Sequence, residues 1–326
     1  MSEGLICPGG ADTLVQVWDG TFVGMSYVIS VIGAFTGLTS VTYAFTVLRQ
    51  PHLLRWFLVY TVASGCAIGG VAVWSMHFVG MQALSLRTCA GDLVPIHFNV
   101  ALTIVSLVAA CAIGTVVCYL VTPSARVMAA STAGGSKHMQ ESSYWTLPFT
   151  AGGMTLKLGK FSIARYLLAT FLLALGAVVM HYMGMSAMYG DFIMTFQPGV
   201  VAVSIVIAFT AAGAGLFIVV QIAYAGQSWL SIALRLVAAL IIALAVNSMH
   251  YVGMLGAEYQ HVNSASNFNH YLGTNLPMPA YIVIAVALGY CFAQLAAVYT
   301  HMMSLITPPR STQSFAADET PSTTGA

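Results

Sequence analysis

The chain has 326 residues, of which 59% are hydrophobic and 6% charged, with a formal net charge of +1. An ordinary soluble domain carries about 25% charged residues, so this surface lacks the polar cover that water requires, and lipid must solvate most of it. The near-zero net charge argues against a nucleic-acid partner, because the basic footprint is missing.

Residues 1–21 are acidic and Gly-rich and lack the basic and apolar regions of a cleavable signal peptide. They are read as an extracytoplasmic N-terminal segment, with the first apolar helix serving as its own insertion signal. A bilayer is crossed by about 20 apolar residues, and seven such runs follow, at 22–47, 56–82, 99–121, 162–188, 199–222, 230–256 and 280–303. The expected fold class is therefore all-α: a polytopic membrane helical bundle with seven transmembrane helices. Nine of the ten basic residues (Arg49, Arg55, Arg126, Lys137, Lys157, Lys160, Arg165, Arg235 and Arg310) fall on one side of this alternation, and Arg87 on the other. The basic side is cytoplasmic, which puts the N-terminus outside and the C-terminus inside. Residues 122–161, rich in Gly, Ser and Thr, are expected to form a long flexible cytoplasmic loop. Residues 258–303 hold an outer loop and the seventh helix, and 304–326 a disordered cytoplasmic tail.

One pattern occurs three times: MHFVGM from Met76 to Met81, MHYMGM from Met180 to Met185, and MHYVGM from Met249 to Met254. The copies fall near the outer ends of the second, fourth and sixth runs, so the repeating unit is a helix pair, present three times with one helix added. Asp19, Asp92 and Asp191 are expected at the starts of the odd helices, as caps. Residues four apart share a helix face. His77 and Met81, His181 and Met185, and His250 and Met254 therefore each present an imidazole and a thioether together. Met76, Met180 and Met249 lie about 100° round the helix, on the face of Gly80, Gly184 and Gly253. Imidazole suits copper, zinc and iron, and thioether favours soft Cu(I). A set of His and Met without carboxylate fits copper best. A lone membrane Met is usually packing, and a lone His near a helix end is usually a satisfied interfacial residue. Joint occurrence at three equivalent positions is what points to a metal, and the three histidines lead the ligand set.

These motifs resemble the MHYT domain, an integral-membrane sensor module of six helices with three such signatures, often followed by a seventh. The resemblance covers residues 22–257. The fourth signature position here is Val79, Met183 and Val252, never Thr, and Phe78 stands in place of Tyr in the first copy. The resemblance implies copper binding and the sensing of a diatomic gas (oxygen, carbon monoxide or nitric oxide). With no output domain evident, the signal is expected to pass to a separate cytoplasmic signalling partner. A copper-handling transporter and a haem-binding membrane protein are the alternatives, the latter because His and Met are both axial ligands. No nucleophile triad or buried acid–base pair is evident, so no enzymatic activity is expected. His97, His261 and His270 lie in predicted outer loops, where they would at most deliver metal. Cys7 and Cys89 both fall on the outer side, where a disulfide is open to them.

Overall fold

The computed structural model describes residues 12–48, 53–122, 144–151, 154–159, 163–222, 229–262 and 278–306. Among these residues seven helices cross: α1 Gly20–Leu48, α2 Leu54–Met81, α3 Val100–Val121, α4 Ile163–Ser186, α5 Pro198–Ile222, α6 Trp229–Leu255 and α7 Met278–Ile306. Each is long and apolar enough to cross a bilayer, and their bounds fall within a few residues of the runs read from hydropathy. The chain is a multi-pass membrane protein.

Short strands cover the end of the bundle where the three motifs lie. They are β1 Val15–Trp18, β2 Leu84–Arg87, β3 Leu93–Val94, β4 His97–Phe98, β7 Met188–Tyr189, β8 Phe192–Phe196 and β9 Ala257–His261. β1, β2 and β3 form one antiparallel sheet, β4 pairs β7, and β8 pairs β9. At the far end β5 Tyr144–Ala151 and β6 Met154–Gly159 make a hairpin within 122–161, a stretch expected to be flexible chain.

The strands repeat one construction. The backbone N–H of Asp19 donates to Ala83 O, that of Asn99 to Ala187 O, and that of Gln197 to Gly256 O, each at 2.8 Å. Each acceptor lies two residues after a motif, and each donor just precedes an odd helix. This joins α1 to α2, α3 to α4 and α5 to α6. It also corrects the expected capping aspartates. Asp19 does cap, accepting from Thr21 N–H at 2.8 Å, but Asn99 takes that role for α3, accepting from Leu102 N–H at 3.1 Å. Asp92 and Asp191 instead directly precede β3 and β8. The even helices also pack against the next odd ones, α2 on α3, α4 on α5 and α6 on α1, so six helices close into a ring. α7 stands outside it against α1 and α2, held by Tyr290 Oη donating to Ala63 O at 2.7 Å and Gln294 Nε2 donating to Ser40 Oγ at 3.1 Å.

α2 departs from its counterparts. Residues Cys66–Ser75 are a π-helix that runs directly into the first motif. π-helix is rare and concentrates at functional sites. Its wider turns leave carbonyls for side-chain donors: Ser75 Oγ donates to Gly70 O five residues back at 2.9 Å, and Ser30 Oγ of α1 donates to Ala72 O at 2.9 Å. Added Cβ atoms at Gly65 and Gly69 would strike the backbone of Thr115 and Ala110, so α2 and α3 cross with their main chains touching.

Candidate metal centre

The ring closure brings His77, His181 and His250 to one point on its axis. Their side chains are 0%, 1% and 1% exposed. Nδ1 of His77 lies 3.0 Å from that of His250 and 3.2 Å from that of His181, and the third separation is 3.2 Å. The rings stand nearly perpendicular to one another, at 79°, 82° and 88°, with centroids 4.8–5.2 Å apart. This is a three-bladed propeller with the Nδ1 atoms at its hub.

Hydrogen bonding alone does not satisfy the hub. A ring nitrogen is a donor or an acceptor, never both. Among three mutually adjacent nitrogens, at least two must share one state, as facing lone pairs or facing protons. Three lone pairs converging on one point is what a cation requires. Nitrogens bound tetrahedrally at about 2.0 Å stand about 3.3 Å apart, close to the separations found. The Nε2 atoms of all three rings are buried and make no hydrogen bond, so the outer edges have no protein partner and the hub edges can satisfy only part of their demand on one another.

The motif glycines hold the propeller shut. A Cβ on Gly80 would lie 2.5 Å from Nε2 of His250, and Cβ atoms on Gly184 and Gly253 would overlap Nε2 of His77 and of His181. Each histidine therefore lies edge-on against the glycine of a different copy. The His and Gly of each motif are thus two halves of a contact completed between helices: a ring on one copy and the bare backbone that admits it on another.

The methionines divide into two layers. Met76, Met180 and Met249 line a cavity of about 80 Å³ that the three histidines close at one end. Its walls come from α1 to α6, are almost wholly apolar, and reach Val121 and Val219 near the far ends of α3 and α5. Met81, Met185 and Met254, at 1%, 0% and 0% exposure, are instead buried toward the strands with Leu14, Leu86 and Tyr259. The leading methionines thus share the cavity with the histidines, and the trailing ones pack among the strand residues. Among the described residues, these histidines form the one group of three or more His, Cys, Asp or Glu placed to hold a metal ion. His97 pairs with Tyr189 in the β4–β7 ladder, and His261 Nδ1 donates to Asp191 O at 3.0 Å. His270 lies outside the described residues. Cys89 is disulfide-bonded, and Cys7 lies outside the described residues.

Reading along one helix at a time missed what surrounds the hub. Trp74 Nε1 donates to Ser106 Oγ at 2.8 Å, Tyr182 Oη pairs with Ser204 Oγ at 2.7 Å, and Tyr251 Oη pairs with Ser26 Oγ at 2.8 Å. The signal was available. Ser26, Ser106 and Ser204 each lie seven residues after Asp19, Asn99 and Gln197, the residues that open the odd helices.

Fold and site together define a membrane bundle of three helix pairs around a buried three-histidine centre. The chain matches the MHYT family, described as a bacterial signalling protein N-terminal repeat, over residues 70–135 and 175–242. By this match the chain carries two MHYT-type repeats. The third motif falls beyond both matched ranges, yet His250 completes the hub on the same terms as the other two. The chain is similar to the bifunctional diguanylate cyclase/cyclic di-GMP phosphodiesterase MucR of Pseudomonas aeruginosa, at 25% identity over 76% of this chain and 29% of that protein. It is also similar to the cyclic di-GMP phosphodiesterase NbdA of the same organism, at 25% identity over 72% of this chain and 24% of NbdA. The signaling protein YkoW of Bacillus subtilis matches at 27% identity over 63% of this chain and 20% of YkoW. The chain thus spans less than a third of the length of these curated relatives. No solved structure matches it.

Proposed function

We propose that this chain is a membrane sensor that holds a copper ion on Nδ1 of His77, His181 and His250 and responds to a neutral diatomic gas or to redox state. The observation that carries this reading is the triangle of Nδ1 atoms, 3.0–3.2 Å on a side, which protein hydrogen bonds cannot satisfy. Met76, Met180 and Met249 directly precede these histidines and Met81, Met185 and Met254 follow them by four residues, and thioether donors favour copper over harder ions. Bound copper would supply a redox-active centre able to ligate a small molecule. The rest is the work of the protein. The glycines and perpendicular rings fix the three donors before any ion arrives, the strands and trailing methionines cover the hub at the motif end, and the apolar cavity excludes water and ions while admitting small neutral molecules.

The haem alternative finds no support in the geometry, because a macrocycle does not fit between nitrogens 3.0–3.2 Å apart. Transport is the weaker reading as well. The cavity extends from one side of the hub, and the other side is packed with buried Met81, Met185 and Met254. By the distribution of basic residues, the motif end faces away from the cytoplasm. In this reading the chain senses and does not catalyse, and it reports to a cytoplasmic signalling partner; cyclic di-GMP turnover is the output named in MucR and NbdA.

Metal analysis of the detergent-purified protein tests the proposal, with absorption and EPR spectra before and after oxygen, carbon monoxide or nitric oxide. Stoichiometric copper, lost when His77, His181 and His250 are replaced together, supports it. Protein that carries no copper, with metal content unchanged by the triple replacement, refutes it.

A further inference from the structure

The three aromatic–serine hydrogen bonds repeat too closely to be incidental packing. Ser26, Ser106 and Ser204 are each 0% exposed. Each has a pure acceptor for its single hydroxyl proton: Ser26 has Val23 O at 2.7 Å and Asn247 Oδ1 of α6 at 3.0 Å, Ser106 has Thr103 O at 2.7 Å and Ser204 has Val201 O at 2.8 Å. The oxygen is left as acceptor, so the aromatic group must be the donor. For Trp74 no other role exists, since an indole N–H only donates. Tyr182 and Tyr251 fill the same place in the other two copies.

The first copy shows that the contact matters more than the residue type. Phe78, at the motif's third position, has no hydroxyl. Trp74, one turn earlier and at the end of the π-helix, lies against Phe78 with ring centroids 4.7 Å apart and supplies the missing donor to Ser106. Every copy thus retains one donor from the histidine-bearing helix to a serine at the same depth of the adjoining odd helix. The bonds run α2 to α3, α4 to α5 and α6 to α1, the three seams of the ring that the strand-end bonds do not join.

We infer that Trp74–Ser106, Tyr182–Ser204 and Tyr251–Ser26 are clasps that set the rotation of the three histidine-bearing helices, which makes these six residues positioning residues for the centre and the two tyrosines hydrogen-bond donors to serine rather than metal ligands. The link is short and stiff. Tyr182 directly follows His181 and Tyr251 directly follows His250, with ring centroids 4.8 and 4.7 Å apart. With the tyrosine tip pinned on one face, its helix cannot turn without swinging the adjacent imidazole off the axis, and a donor set tolerates only about 0.5 Å of such error.

The consequence for metal rests on the copper reading above, so the test separates the two. Tyr182→Phe, Ser204→Ala and their double variant are made in the full chain, with the same cycle at Tyr251 and Ser26 and at Trp74 (to Phe) and Ser106. Copper affinity is measured by competition, the Cu(II) EPR spectrum records ligand geometry, and metal-free unfolding in detergent supplies a readout that needs no copper. In each cycle the single and double variants should lose the same amount, about tenfold in copper affinity, with an altered EPR hyperfine splitting and non-additive unfolding midpoints. Additive midpoints, or wild-type affinity and EPR in all three aromatic variants, overturn the clasps. Wild-type protein that binds no copper overturns the metal reading, and the unfolding cycles then decide the clasps alone: coupling sustains them and additivity ends them.

Discussion

Gly80→Ala offers the sharpest probe of the hub. The added Cβ would lie 2.5 Å from Nε2 of His250, 3.0 Å from its Cδ2 and 3.1 Å from Tyr251 Oη. Ordinary contact begins near ~3.5 Å, so the His250 ring must retreat by about 1 Å. Its Nδ1 stands 3.0 Å from that of His77 and 3.2 Å from that of His181, and a movement of that size is about twice the tolerance of a metal donor set. Copper affinity should fall on the order of 100-fold, with about 1–3 kcal/mol of stability lost to overpacking. The assay is competition titration with a metal chelator on protein purified in detergent, alongside a thermal melt that confirms folding. Gly289→Ala on α7 is the control, because a Cβ there meets nothing within 4 Å. Folded Gly80→Ala protein that binds copper within about threefold of wild type would show that the ring packing does not set the donor geometry.

Other outcomes follow from the same structure. Replacing His77, His181 or His250 singly by Ala should abolish stoichiometric copper to the same degree, since the three sites are equivalent; metal analysis showing one position dispensable would mean a two-coordinate site. Ala212→Leu narrows the cavity away from the hub, so copper should be retained while stopped-flow binding of carbon monoxide slows about tenfold or more; an unchanged rate would place ligand entry elsewhere. Tyr259 lies outside the spans, and burial raises its phenol above the ordinary 10.0. The neutral form is then favoured by the fold, so that contribution to stability is full below pH 10 and falls as the unfolded phenol ionises above it. Its Oη is also buried without a hydrogen bond. Tyr259→Phe should therefore melt no lower than wild type near neutral pH and lose less stability at alkaline pH; a marked destabilisation at pH 7 would contradict this.

The sequence by itself determined the solvent, the number of spans and the identity of the three histidines. Hydropathy runs are local, and a helix in lipid must satisfy its own backbone, so α1 to α7 could be bounded from composition alone. The motifs were legible because a helix puts residues four apart on one face. What the sequence assigned wrongly or not at all concerns how one helix meets another. Asp92 and Asp191 looked like caps, yet Asn99 caps α3 and Gln197 opens α5, because the strand pairing, not the nearest acid, decides where a helix begins. Whether Phe78 weakened the first copy also lay beyond local reading, since Trp74 replaces the missing donor only once the π-helix and α3 are in place. The hub itself is tertiary. Three imidazoles separated by 69 to 173 residues in the chain meet within 3.2 Å because ring closure is a property of six helices packing together, and no periodicity along one helix encodes the distance to another.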